Sequence, residues 1–129
     1  MALTQVPNEL LEIGVKAFGT SSIMIGDTTT GTIDAANNNT GVGVDVFESL
    51  NTGDNNTAIG TRSSNVLTTG SNNTTVGYNS GQGLTTGGKN TFIGDSAGNE
   101  TTTASFNTAV GYTALLLNTT GTQNNAFGS

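Results

Sequence analysis

The chain of 129 residues has no cysteine, no histidine and no tryptophan, a single proline (Pro7) and three cations, Lys16, Arg62 and Lys89. Without cysteine there is no disulfide framework and no thiolate metal site; without histidine there is no imidazole base or ligand. His-based catalysis is excluded with them, and since the motifs weighed below carry no chemistry either, no catalytic group, metal or cofactor is expected and the chain reads as a non-enzyme. Three scattered cations within a net charge of −6 cannot neutralise a row of phosphates, which argues against a nucleic-acid partner. The acidic excess reads as solubility. No apolar run approaches a membrane span, so no membrane insertion is expected. Residues 1–14 lack the basic and long apolar regions of a secretory signal, which suggests a protein made and used without export.

What the chain does have is threonine (25), glycine (19) and asparagine (17), nearly half of all residues. Such a composition alone suggests disorder, because little apolar surface is available to offset chain entropy. A fixed register argues otherwise. Gly26, Gly43, Gly60, Gly77, Gly94, Gly111 and Gly128 are each 17 residues apart, and the residues before them are Ile25, Val42, Ile59, Val76, Ile93, Val110 and Phe127. Four residues before each glycine stand Asn39, Asn56, Asn73, Asn90, Asn107 and Asn124, with Ser22 in the first copy. A short, unbroken period of this kind is the signature of one structural unit stacked on copies of itself.

Glycine at every seventeenth position suits strand and turn better than helix. The pattern predicts an all-β parallel solenoid with flattened 17-residue coils, each of two short strands and two turns. Coils stacked at about 4.8 Å would reach roughly 30 Å. The residue before each glycine is read as a buried core ladder (Ile25, Val42, Ile59, Val76, Ile93, Val110, Phe127), and the glycines as turn residues. Leu50, Leu67 and Leu84, with Ile33 before them, supply a second wall. Phe127, larger than its counterparts, reads as a plug at the end of the core. The asparagine column is read as structural, since Asn tolerates left-handed turns and its amides can stack between coils. Residues 1–21 lie outside the register and read as a docking or capping segment, with a strand into Val6 and a turn of helix near residues 8–12; residues 22–129 form the solenoid. A coil this flat holds one thin layer of side chains, so self-association is expected to add stability.

The string Asn-Thr-Ala-Ile/Val-Gly-x-x-Ala/Ser resembles the repeat of trimeric autotransporter adhesin heads. The match runs through Thr57, Ala58, Ile59, Gly60 and Ser63, and again through Thr108, Ala109, Val110, Gly111 and Ala114. Residues 107–115 are also similar to arrays in phage tail-fibre and virion-fibre proteins. The resemblance covers roughly residues 22–129 and implies a left-handed β-roll of three identical chains. The 17-residue period departs from the shorter one common in adhesin heads. The chain also shows no signal peptide, heptad stalk or membrane anchor, which an autotransporter needs and a virion protein does not. The resemblance thus implies a virion structural protein, part of a phage fibre, spike or capsid-attached decoration, joined to another virion protein through residues 1–21. The alternative is a glycan-binding adhesin module on a bacterial surface. Host surface glycan is then a candidate partner, with Tyr78 and Tyr112, two coils apart, as candidate ligand contacts.

Other motifs carry less. Gly83 to Lys89 imitates a phosphate-binding loop, but Asn90 stands where Ser or Thr is needed. Asp27 and Asp95 share a column, but Val44, Thr61, Tyr78 and Tyr112 fill the rest of it and Asp34, Asp45 and Asp54 fall in three others, which argues against a row of calcium sites. Glu9/Glu12 and Asp45/Glu48 are acidic pairs read as solvated faces. Threonine-rich solenoids adsorb to ice where threonines form a flat exposed grid. Thr57 and Thr74, sharing a strand face with Ile59 and Val76, are read here as internal, which sets that function aside.

Overall fold

The computed structural model describes residues 14–18, 21–26 and 35–129, with the backbone path alone for residues 14–18. The expected strand into Val6 and helical turn near residues 8–12, together with Ile33, lie outside the described residues. Eight strands follow one another across one sheet: β1 (Gly14–Phe18), β2 (Ser22–Gly26), β3 (Thr40–Gly43), β4 (Thr57–Ile59), β5 (Thr74–Val76), β6 (Thr91–Ile93), β7 (Thr108–Val110) and β8 (Asn125–Phe127). From β2 to β8 every pair is parallel and advances one repeat, as in Thr57↔Thr74 and Ile59↔Val76. This is a parallel β-solenoid of 17-residue coils. β1 runs antiparallel to β2, Gly14 opposite Gly26, and covers that edge of the sheet.

Each coil contributes one strand rather than the two expected. Beyond the turn glycine the chain takes left-handed backbone at alternate residues, as at Arg62 (φ 59°) and Ser64 (φ 49°), and this breaks extended structure. Coil-to-coil hydrogen bonding continues without a second strand: Ser64 N donates to Ser80 O (3.0 Å), and Thr85 N to Thr102 O (2.9 Å). The glycine column ends each strand, with φ between 113° and 141° from Gly26 to Gly128. At Gly43 a Cβ would lie 2.7 Å from Gly60 O, so the stacked backbones leave no room for a side chain.

The main correction concerns the faces of the sheet. The aliphatic column expected to be buried points outward: Val42, Ile59 and Ile93 are 36%, 40% and 39% exposed, Ile25, Val76 and Val110 are half-buried, and Phe127 is exposed rather than a plug. The inward residue is the one between, in the series Met24, Gly41, Ala58, Thr75, Phe92, Ala109 and Ala126. Strand side chains alternate, so a one-residue error in assigning the inward position reverses both columns. The physical reason lies in the thickness of the coil. Leu50, Leu67 and Leu84, all fully buried, already fill one wall. The sheet opposite admits bulk only where the turn after the glycine leaves space. A Cβ on Gly98 would stand 2.6 Å from the Phe92 ring, and one on Gly41 would stand 3.1 Å from Phe47. Phe92 thus occupies room left by Gly98, and Phe47 occupies room left by Gly41. At these two places a large side chain is matched by a glycine facing it, as close packing requires.

The buried asparagines form a continuous ladder. Asn73 N donates to Asn56 Oδ1 (2.9 Å), and Asn90 N donates to Asn73 Oδ1 (3.0 Å). Each side-chain amide also donates to a turn carbonyl of its neighbour, Asn56 to Gly70 O (2.9 Å) and Asn73 to Gly87 O (3.0 Å). Ser22 starts the column, its Oγ accepting from Asn39 N at 2.9 Å. The left-handed residue is the one before the ladder position, as at Asn38, Asn55 and Asn72. A second buried polar group joins Thr75 Oγ1 to Ser63 Oγ (2.7 Å) and Ser64 Oγ (2.8 Å). Thr101, which follows Leu84 in the leucine column, buries its hydroxyl without a partner.

Candidate binding surfaces

Three surfaces follow from this frame. The first is the outer face of the sheet. Thr40, Thr57, Thr74, Thr91 and Thr108 form one exposed or half-buried column, and Val42, Ile59, Val76, Ile93 and Val110 form the next. The two columns are about 7 Å apart and repeat about every 4.8 Å. Among the described residues these two columns carry no charged side chain. The threonines taken as internal therefore lie outside.

Tyr78 and Tyr112 stand in the column just after the turn glycines, 49% and 64% exposed, beside Val44. Asp95, between them in the stack, accepts a hydrogen bond from Ser96 Oγ at 2.7 Å. The tyrosines border the aliphatic column, so a partner seated on the sheet face would meet them too.

The third surface was not singled out by the sequence reading. It is a shallow groove of about 340 Å³ on the turn side, with Ser71, Gly88, Lys89, Ser105 and Phe106 among its lining residues. Its signal in the sequence is a break in a column: Asn38, Asn55 and Asn72 give way to Lys89 and Phe106. Lys89 belongs to the segment that imitates a phosphate-binding loop, yet no helix occurs among the described residues.

Of the acidic pairs, Asp45 meets Arg62 at 3.6 Å and Glu48 accepts from Asn65 Nδ2 at 2.7 Å, while Glu9 and Glu12 lie outside the described residues. Asp45, Asp54 and Asp95 stand at different positions of the repeat, and Asp27 and Asp34 lie outside the described residues. Comparison of the chain with protein-family models, curated proteins and solved structures gives no match.

Proposed function

We propose that the chain is a non-enzymatic structural protein of a virion, one of three copies in a left-handed β-roll forming part of a phage fibre, spike or capsid-attached decoration. The observation that carries the reading is the outward column of β-branched residues. Partly exposed Ile and Val on a sheet with a thin core leave burial energy unused, roughly 1 kcal/mol for each side chain about 40% exposed. A second and third copy of this chain would use it. The two sheet columns alone cover roughly 300 Å², less than the approximately 800 Å² per partner of a stable interface. The contact therefore extends over the flanking column of Val44, Tyr78 and Tyr112. The repeat's resemblance to virion-fibre and adhesin-head arrays supports the same assembly, with residues 1–21 as the attachment to another virion protein.

The chain has no cysteine, so a single engineered thiol is unambiguous. Ile59→Cys should form interchain disulfides under mild oxidation, and Ala58→Cys, at a fully buried position, should not. Equal behaviour of the two variants would remove the sheet face from the assembly.

A second reading draws on the same face. A flat, uncharged grid of threonine and β-branched residues is also the surface that adsorbs to ice, and the ground for setting this function aside, internal threonines, does not hold. A thermal-hysteresis measurement separates the two: ice adsorption needs the face free, while assembly covers it.

A further inference from the structure

We propose that the groove beside Lys89 and Phe106 binds an acidic saccharide, holding its carboxylate at Lys89 and Ser71. The groove is built where the repeat departs from its own pattern. The residue before each ladder asparagine takes left-handed backbone, with φ of 58° at Asn38, 59° at Asn55 and 62° at Asn72. Asparagine tolerates this conformation. Phe106 holds the same geometry, φ 62°, although a bulky side chain is disfavoured there. It is also 53% exposed. A residue unfavourable in both backbone and hydration, in a column where asparagine is the alternative, points to a role outside folding.

Lys89, at the same column position one coil earlier, places its Nζ 4.8 Å from the Phe106 ring centroid, and this cation–π contact fixes the ammonium over the groove. Among the described residues the ion pair is Arg62–Asp45, so Lys89 has no carboxylate of its own.

The adjacent column supplies a second donor. Asn37 N donates to Asp54 Oδ1 (2.7 Å), Asp54 N to Ser71 Oγ (3.0 Å), and Gly88 N to Ser105 Oγ (3.0 Å). Each backbone N–H is thus met by the side chain one coil on. Ser71 is followed by Gly88, which has no side chain, and its N–H finds no acceptor in the described protein. A Cβ at Gly88 would stand 2.8 Å from Ser71 O, so the backbone keeps this position open.

A fixed ammonium and an unmet N–H suit a carboxylate. The hydroxyls of Ser71, Ser105 and Thr86 suit sugar hydroxyls, and the exposed Phe106 ring suits the apolar C–H face of a pyranose. A simple anion would use only the first two groups. The volume of about 340 Å³ is at the small end of ligand sites, which suits one sugar ring.

The test is a titration of the full chain with glucuronate at low ionic strength, followed by amide NMR shifts. Because the groove lies within one chain, the readout is independent of the proposed trimer. Glucuronate should shift the amides of Ser71, Gly88 and Lys89. Glucose and acetate should each bind about tenfold more weakly, as expected when one charge-assisted contact or the ring contacts are lost. Lys89→Gln, which places the residue of Gln123 in the same column, should cost about the same factor. Phe106→Asn should abolish binding while raising the melting temperature, because it restores the column's usual residue. The proposal is overturned if glucose or acetate binds as well as glucuronate, if Lys89→Gln binds normally, if no amide near the groove shifts, or if Phe106→Asn lowers the melting temperature.

Discussion

Replacing Asn73 by alanine tests the asparagine ladder at its centre. The side chain is 1% exposed and does two things at once. Its Nδ2 donates to Gly87 O (3.0 Å) and to Asn56 Oδ1 (3.1 Å); its Oδ1 accepts from Asn90 N (3.0 Å) and Asn90 Nδ2 (3.1 Å). Asn56 Oδ1 keeps the backbone donor Asn73 N, and Asn90 Nδ2 keeps Ala104 O, so neither is orphaned. Alanine therefore strands two backbone groups, Gly87 C=O and Asn90 N–H. At about 1–3 kcal/mol for each buried group left unpaired, the loss is about 4 kcal/mol. Serine should be intermediate. Its hydroxyl can accept from Asn90 N as Ser22 Oγ accepts from Asn39 N (2.9 Å), and reach Gly87 O only at long range as Ser22 Oγ donates to Ala36 O (3.4 Å), for a loss of about 2 kcal/mol. Urea unfolding gives the totals. Amide exchange at Asn90 gives the local effect, which matters because stacked coils can open separately. Asn73→Ala within about 1 kcal/mol of the parent, or a serine variant no better than alanine, would refute the ladder as a source of stability.

Other expectations are independent of this one. Thr101→Val removes a buried hydroxyl that has no partner from the leucine column and should stabilise the chain by about 1–2 kcal/mol in the same unfolding assay. Gly98→Ala should destabilise by about 2–3 kcal/mol, because φ is 61° and the new Cβ would stand 2.6 Å from the Phe92 ring. Phe92→Ala alone should cost about 3–5 kcal/mol and the double variant less than the sum of the two, since the next coil already combines Ala109 with Leu115; a strictly additive double variant would contradict the size matching.

The period, the parallel register and the leucine wall were legible in the sequence because each is a column of one residue type, and a repeat makes columns visible. The facing of the strand was not. Ile59 and Val76 look like core because they are apolar and constant, while Ala58, Thr75 and Phe92 look like noise because they vary. Inside a thin coil the variation is the packing: Phe92 exists because Gly81 and Gly98 do, and Gly41 exists because Phe47 does. A column that must share space with another varies with it, whereas one facing a flat outer surface can stay uniform. The single strand per coil was missed because left-handed residues such as Arg62 and Ser64 carry no compositional mark. The groove was missed for the opposite reason. Lys89 and Phe106 break a column, and a search for regularity passes over its exceptions.

The most direct test of the assembly is the mass of the full chain in solution by sedimentation equilibrium at tens of micromolar. Three times the 13.0 kDa chain mass is expected. The double variant Ile59→Lys with Ile93→Lys should fall to a single chain while keeping a β-type circular dichroism spectrum, because both side chains point outward and charge there is solvated. A parent that sediments as one chain, or a double variant that keeps the parent's mass, would contradict association through the outer face of the sheet.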